Sequence, residues 1–203
     1  MPNSNKAKVL ILRATKYGEA DLILQALTNC GEKISLLARG ALKSKKRFSG
    51  GVLEPTHFVE VRYKKPISEN KIATLEEATL INGFEKLRSS YEKVEVAFYV
   101  LECLSKVSQE GDAVSDHLFN LAGHSLKSLE KAVDLKLFRV HFCLKLLFQQ
   151  GVLEPESWMG IYLKNSMSQH EQMEGHEDPQ KDLHLYWCES HLKEYLSTGM
   201  LSN

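Results

Sequence analysis

The sequence contains little cysteine and no closely spaced cysteine pair. Its four cysteines are Cys30, Cys103, Cys143 and Cys188, so a structural zinc site, which usually draws its ligands from C-x-x-C pairs, is not predicted. No charged and then apolar leader opens the chain, and no apolar run is long enough for a transmembrane helix. These absences predict a reduced, soluble, cytoplasmic protein that does not enter a membrane.

Acidic residues are absent between Glu32 and Glu54, where positive charge is concentrated. Five cations lie within nine positions of this stretch: Arg39, Lys43, Lys45, Lys46 and Arg47. Because five like charges so close together repel one another, a polyanion such as nucleic acid is a natural partner. Many runs of this kind are only solvated loops, so the local pattern alone leaves both interpretations open.

The formal net charge of zero hides two oppositely charged parts of the chain. Residues 1–65 contain 13 lysines and arginines against 5 acidic residues, whereas residues 66–203 contain 13 against 21. Such asymmetry favours nucleic-acid binding at the basic end. The length of 203 residues and 43% apolar content allow two small cores, and we predict domains at 1–80 and 81–203.

Residues 7–80 have the pattern of five short strands. The runs cover 9–14, 22–27, 34–39, 59–64 and 72–78. In the fourth run, Val59, Val61 and Tyr63 alternate with charged residues, which predicts an apolar face toward the core, with Tyr63 on it. Five strands over about 70 residues fit a small closed barrel such as an OB-fold, and the strand count alone equally allows an SH3-like barrel.

The apolar period changes to that of an α-helix from about residue 84. Helices are predicted over 84–110, from a cap at Asp112 or Ser115 to residue 132, over 134–150 and over 182–196. The third is apolar almost all round, as in a helix surrounded by others, and Gly151 follows it at the usual position for a C-terminal cap. Residues 164–181 are rich in Ser, Gln, Glu and His and predict a mobile polar loop. The fold class is therefore α+β.

Motifs for catalysis are missing or incomplete. No G-x-x-x-x-G-K-[ST] run is present to hold a nucleoside triphosphate. Gly123-His124-Ser125 lacks the last glycine of a nucleophile elbow and no strand precedes it. The histidines between 170 and 191 lack H-E-x-x-H spacing. We therefore predict a protein that is not an enzyme, with no catalytic residue, no metal site and no cofactor.

The basic half resembles the bacterial recombination mediator family RecO in an ordered series of motifs. They are Tyr-Gly-Glu-x-Asp at 17–21, Gly-x-Lys-Ile at 31–34, Ala-Arg-Gly-Ala-x-Lys-Ser-Lys-Lys-Arg-Phe at 38–48 and Gly-x-Leu-Glu-Pro at 51–55. A weaker similarity continues through Leu137-Phe138-Arg139 to Gly151 and Pro155. Many family members then carry a four-cysteine zinc module. This chain has Trp158 about where the first pair would begin, and only Cys188 follows.

The resemblance implies an N-terminal OB-fold barrel followed by a helical domain, here without the zinc module. It also implies a DNA repair and recombination mediator that binds single- and double-stranded DNA, anneals complementary strands and helps load recombinase onto strands covered by single-strand-binding protein. The implied protein partners are the acidic C-terminal tail of single-strand-binding protein and the partner mediator RecR. Such a protein is expected in the cytoplasm, associated with the nucleoid.

The residues themselves suggest which side chains would make these contacts. The predicted DNA-binding residues combine cations for phosphates with one aromatic for base stacking: Arg39, Lys43, Lys45, Lys46, Arg47, Phe48, Arg62 and Lys64. For the acidic tail, Arg139 is predicted to bind the terminal carboxylate, with Phe142 and Leu146 as an apolar floor. An alternative explains these three residues about equally well: Phe142 and Leu146 are ordinary core residues of the helix, and Arg139 is a solvated charge.

Two other functions fit the same pattern. In the first, the chain is a non-catalytic adaptor whose basic loop docks an acidic protein. In the second, the barrel binds RNA, since no residue identified here reads a 2′-hydroxyl. A protein that binds DNA or RNA should bind oligonucleotides with an affinity that falls as salt is added, whereas an adaptor for an acidic protein should not bind them.

Overall fold

A computed structural model describes residues 4–44, 46–65, 72–110 and 116–198. The strands are β1 (Ser4–Tyr17), β2 (Asp21–Thr28), β3 (Lys33–Ala38), β4 (Phe58–Lys64) and β5 (Ala73–Asn82). The α-helices are α1 (Tyr91–Val107), α2 (His117–Leu129), α3 (Leu135–Gln149), α4 (Gly160–Lys164) and α5 (Lys181–Thr198). Short 3-10 helices cover Glu85–Ser89, Ser157–Met159 and Met167–Met173.

The five strands form a closed barrel in the order β1-β2-β3-β5-β4, and β4 returns to β1. The β3–β5 pairing is parallel and the other four are antiparallel. The long β1 makes closure possible, because Val9 pairs with Thr28 of β2 and also with Val59 of β4. This arrangement confirms the predicted OB-fold class.

The alternation in β4 determines which side chains fill the barrel. Val59, Val61 and Tyr63 are buried in its core, while Arg62 and Lys64 are exposed on the outside. The prediction that Tyr63 belongs to the core is confirmed. Burial raises the pKa of its hydroxyl, as expected for a phenol removed from water.

Helix α3 is the central element of the helical part. Asp134 caps its N-terminus by accepting hydrogen bonds from the backbone N–H groups of Lys136 and Leu137. Gly151 follows the helix with φ of 70°, the left-handed conformation that glycine adopts most easily. Nine of its fifteen residues are buried, and Cys143 lies among them as a core residue, like Cys103 on α1.

The stretch predicted as a mobile polar loop, 164–181, contains the 3-10 helix Met167–Met173. Met167, His170 and Met173 are buried on one side of it. Their spacing of three residues is the period of a 3-10 helix, so a search for the 3.6-residue period misses it. The segment is therefore partly ordered by packing, and the predicted mobility is untested.

The chain divides into two compact units. The first contains residues 1–84 together with 108–120, and the second contains 85–107 and 121–203. Residues 108–120 group with the barrel because Lys33 donates from its backbone N–H to the Gln109 carbonyl at 3.0 Å, and the Phe119 ring packs edge-on against Phe58 at 5.4 Å. The division at residue 80 into two domains remains a prediction. Within the described residues, no helix combines the length and apolar character needed to cross a bilayer.

Candidate nucleic-acid interface

The start of the basic stretch is fastened to the turn between β1 and β2. The Asp21 carboxylate accepts a 2.7 Å hydrogen bond from the backbone N–H of Gly40, and Leu42 N–H donates to the Ala20 carbonyl at 2.9 Å. Gly40 has φ of 65°, which a glycine adopts without strain. The conformation that carries Arg39 and Lys43 is thus fixed by hydrogen bonds from the backbone N–H groups of the loop, although both side chains are exposed.

Arg47 closes the other end of this loop. Its guanidinium donates a 2.9 Å hydrogen bond to the Arg39 carbonyl and lies over the Phe48 ring at 5.2 Å from the centroid. The Ala78 backbone N–H donates to the Arg47 carbonyl at 3.3 Å. Arg47 therefore contributes to holding the loop together, while its side chain remains exposed to solvent.

The prediction that Phe48 is an exposed stacking residue is wrong. Its side chain is only 3% exposed and belongs to the barrel core, together with Val52 and Leu53 from the following turns. The polar, glycine-rich neighbours of Phe48 suggested exposure. Instead, the segment folds back over the barrel and places its apolar side chains inside, where the ring cannot stack on a base.

The exposed lysines of the loop are the best candidates for phosphate contacts. Lys43 and Lys46 are exposed, as is Arg39, and in the part of the chain that the structure describes none of these three forms an ion pair. Lys45 lies outside the described residues. Cations without a carboxylate partner keep their full charge for a polyanion.

The structure places Arg62 and Lys64 in a different electrostatic environment. Arg62 forms an ion pair with Glu77 at 2.7 Å, and Lys64 forms one with Glu76 at 2.7 Å. The hydrogen bonds from Lys64 and Ser4 lower the pKa of Glu76. Because β5 supplies a carboxylate to each cation, these two side chains offer less net charge to DNA than Lys43 and Lys46.

Tyr17 is an exposed aromatic outside the predicted set of DNA-binding residues. It ends β1, is 57% exposed and pairs across the turn with Asp21, the residue that binds the backbone of Gly40. The signal was present in the Tyr-Gly-Glu turn, since a turn places the flanking aromatic at the surface. In OB-folds the loop between the first two strands is one of the usual ligand-binding loops.

The predicted tail-binding residues are only partly brought together. Phe142 and Leu146 are completely buried inside the helical unit, so the prediction that they form the floor of an open pocket is wrong. Arg139 does line a groove of about 470 Å³ beside α1 and α5. The apolar side chains there are Tyr99, Cys103, Leu192 and Leu196.

Arg139 is held in this groove by two contacts. Its guanidinium pairs with Glu189 at 2.5 Å and lies over the Tyr99 ring at 4.7 Å. Among the described residues, the buried Arg139 Nε atom has no hydrogen-bond partner. Lys106 and Lys193 also line the groove. Lys106 pairs with Glu102 at 2.7 Å, which leaves Lys193 as a cation of this groove with no ion pair in the described structure.

Across the described ranges, no group of three or more His, Cys, Asp and Glu side chains is arranged to hold a metal ion. The histidines that the sequence groups between 170 and 191 have other contacts. His170 faces His141 and Glu174, and His184 binds Asp178 at 2.8 Å.

Comparisons with known proteins agree on one family. The family model described as Recombination protein O N terminal matches residues 1–84, and the one described as Recombination protein O C terminal matches residues 88–153. The chain is 36% identical to the DNA repair protein RecO of Desulfosudis oleivorans over 138 residues, 66% of this chain and 52% of the relative. It is 30% identical to the protein of the same name from Alkaliphilus metalliredigens over 148 residues, 72% of this chain and 58% of the relative. The chain thus spans about half the length of the curated relatives it matches.

Proposed function

We propose that this chain, which belongs to the RecO family, is a DNA repair and recombination mediator that binds DNA with one end of its barrel. The observation that carries the proposal is the loop that begins at Arg39. It is fastened to the β1–β2 turn by Asp21, and its exposed cations Arg39, Lys43 and Lys46 have no carboxylate partner among the described residues. Tyr17, at the same turn, adds an exposed ring. Phosphate contacts and base stacking together are how proteins hold single strands without reading their sequence.

The proposed ligands are single- and double-stranded DNA. Lysines contact phosphates as point charges in either form, whereas stacking on Tyr17 requires an unpaired base. We therefore expect stronger binding to single strands per phosphate contacted. Arg62 and Lys64 remain in the proposed interface as weaker contributors, because their carboxylate partners must be displaced or shared.

Annealing follows from the same charges. Two complementary strands repel each other through their phosphates, and a protein that neutralises part of both backbones lowers this repulsion. The bases then pair with their own free energy, so the reaction needs no ATP. In this account the protein acts by binding and not by catalysis, and it would help load recombinase onto strands covered by single-strand-binding protein.

The groove at Arg139 is the proposed site for the acidic C-terminal tail of single-strand-binding protein. A tail of this type needs a cation for its terminal carboxylate and an apolar surface for its last side chain. Arg139 and Lys193 supply the charge, and Tyr99, Leu192 and Leu196 replace Phe142 and Leu146 as the apolar surface. RecR is a further proposed partner, and the proposed location is the cytoplasm, in association with the nucleoid.

A strand-annealing assay tests the proposed function. Purified protein should accelerate the pairing of two complementary fluorescent oligonucleotides at low salt without ATP, and added salt should weaken the effect. An adaptor that docks only an acidic protein would leave the annealing rate at its value in buffer. An absolute requirement for ATP would also contradict the proposal.

A further inference from the structure

Helix α5 separates two grooves of different charge. Glu189, Leu192, Lys193 and Leu196 line the groove that contains Arg139. Trp187, His191, Glu194 and Tyr195 line a second groove of about 470 Å³, which also includes the end of α3 and residues 152–156. At 100° per residue these two sets lie on opposite sides of the helix.

The second groove is acidic. Among the described residues, its lining carries three glutamates, Glu154, Glu156 and Glu194, together with His191 and with no lysine or arginine. All three are exposed, and none of them forms an ion pair within the residues that the structure describes. The Arg139 groove, in contrast, contains both signs of charge. A polyanion is therefore excluded from the second groove by repulsion, and a cation is favoured.

The wall of this groove is aromatic and held in place by ring packing. The Trp187 and His191 rings are stacked with centroids 3.7 Å apart, and His191 Nδ1 donates to the Trp187 carbonyl at 2.8 Å. The Trp158 ring lies perpendicular to Trp187 at 5.7 Å and is itself stacked on His184 at 3.9 Å. Such packing fixes the indole before any ligand arrives, which lowers the entropic cost of binding.

The polar groups around the groove are fixed as well. The Glu156 carboxylate accepts a hydrogen bond from the Trp158 indole N–H at 3.1 Å, and the Tyr195 hydroxyl donates to Gln150 at 3.1 Å. The floor is apolar, formed by Leu147 with Val152 and Leu153. A ligand that fits must therefore carry positive charge on a group that also packs against aromatic and aliphatic surface.

We propose that this groove binds an arginine side chain from a basic segment of a partner protein. A guanidinium is attracted to aromatic side chains such as Trp187 and Tyr195 and donates paired hydrogen bonds to a carboxylate, and its propyl stem packs on aliphatic surface. Lysine offers the charge without the planar fork, so it binds the same groove more weakly. The inference is independent of DNA binding at the barrel, since it uses other residues in the other compact unit.

Two peptides that differ only in charge test the proposal. One is acetyl-Gly-Arg-Gly-Arg-Gly-amide, and the other has citrulline, the neutral isostere, in place of both arginines. Titration of the protein's tryptophan fluorescence should show about tenfold tighter binding of the arginine peptide. Equal affinity for the two peptides, or no binding of either, would overturn the proposal.

Matched variants locate the site. The double variant Glu154→Gln, Glu194→Gln should bind the arginine peptide about tenfold more weakly. The control is the double variant Glu95→Gln, Glu177→Gln, which changes the net charge equally at exposed glutamates outside the groove. It should leave the affinity for the peptide unchanged. An equal loss of peptide affinity in both double variants would show that only general charge attraction is involved, and would contradict a specific binding site.

Sedimentation at the same concentrations adds a further test. Self-association of the wild-type protein that the Glu154 and Glu194 changes abolish would identify a second copy as the occupant and contradict a separate partner.

Discussion

The Nδ1 atoms of His141 and His170 lie 3.1 Å apart in the interior of the helical unit. His141 Nε2 is 3.0 Å from the Asn165 carbonyl, which only accepts, so Nε2 carries the proton and Nδ1 of the neutral ring is an acceptor. His170 then donates from its own Nδ1. The His170 Nε2 atom faces the Glu174 carboxylate at 3.5 Å. The two oxygens of this carboxylate accept hydrogen bonds from the backbone N–H groups of Val133 and Asp134.

This pair makes stability depend on pH in a definite direction. Burial lowers the pKa of His141 to about 4, with a smaller contribution from the neighbouring His170, and burial also lowers the pKa of His170. A proton on His170 can be directed at Glu174, whereas a second proton on His141 would set two N–H groups against each other. The unfolded chain binds a proton on His141 near pH 6.5 and the folded chain does not, so stability is complete above that pH and is lost as pH falls toward 4.

We predict a loss on the order of 3 kcal/mol in the free energy of unfolding between about pH 7 and pH 4 from His141. Urea unfolding across this range checks it. The variant His141→Gln should be less stable at neutral pH and show a flatter profile in the same range. An equal pH dependence in the variant and the original protein would assign the acid sensitivity to other groups.

Tyr17 and Phe48 are predicted to respond in opposite ways to substitution. Tyr17→Ala should weaken the binding of single-stranded DNA by about 1 to 3 kcal/mol, because a base can no longer stack on the tyrosine ring. The thermal stability of the protein should stay nearly unchanged. Tyr17→Phe keeps the ring and serves as the matched control. Phe48→Ala should instead destabilise the barrel by about 3 to 5 kcal/mol, as expected for an aromatic removed from a core. Fluorescence anisotropy and urea unfolding of the three variants separate the roles. Loss of DNA affinity in a fully stable Phe48→Ala variant would reverse the assignment.

The groove at Arg139 offers a cation, Lys193, that forms no ion pair with any described residue. If the Lys193 ammonium binds a carboxylate of the peptide, Lys193→Gln should weaken the binding of an acidic, Phe-terminated peptide by about 1 to 3 kcal/mol. Lys127→Gln, a similar change on α2 outside this groove, is the control. Calorimetry measures both. If the peptide affinity is unchanged in both Lys193→Gln and Arg139→Ala, the acidic tail does not bind in this groove.

Some features could be predicted from sequence because they depend on local order along the chain. The alternation of Val59, Val61 and Tyr63 determines a strand with one buried face, and the apolar run after Asp134 determines a central helix. The environment of Arg62 could not be predicted, because its partner Glu77 is set by the pairing register of β4 and β5. The burial of Phe48 likewise depends on how its loop folds over the barrel, which the local polar composition does not reveal.

The central claim is that the lysines of the loop bind phosphates, and the salt dependence of DNA affinity tests it most directly. Replacement of Lys43, Lys45 and Lys46 by Gln should reduce the slope of log affinity against log salt for single strands by about 2, since each phosphate contact contributes roughly 0.7. Replacement of Arg62 and Lys64 by Gln, two cations already paired with Glu77 and Glu76, should change the slope much less. A slope and affinity unchanged in a folded triple lysine variant would contradict the account.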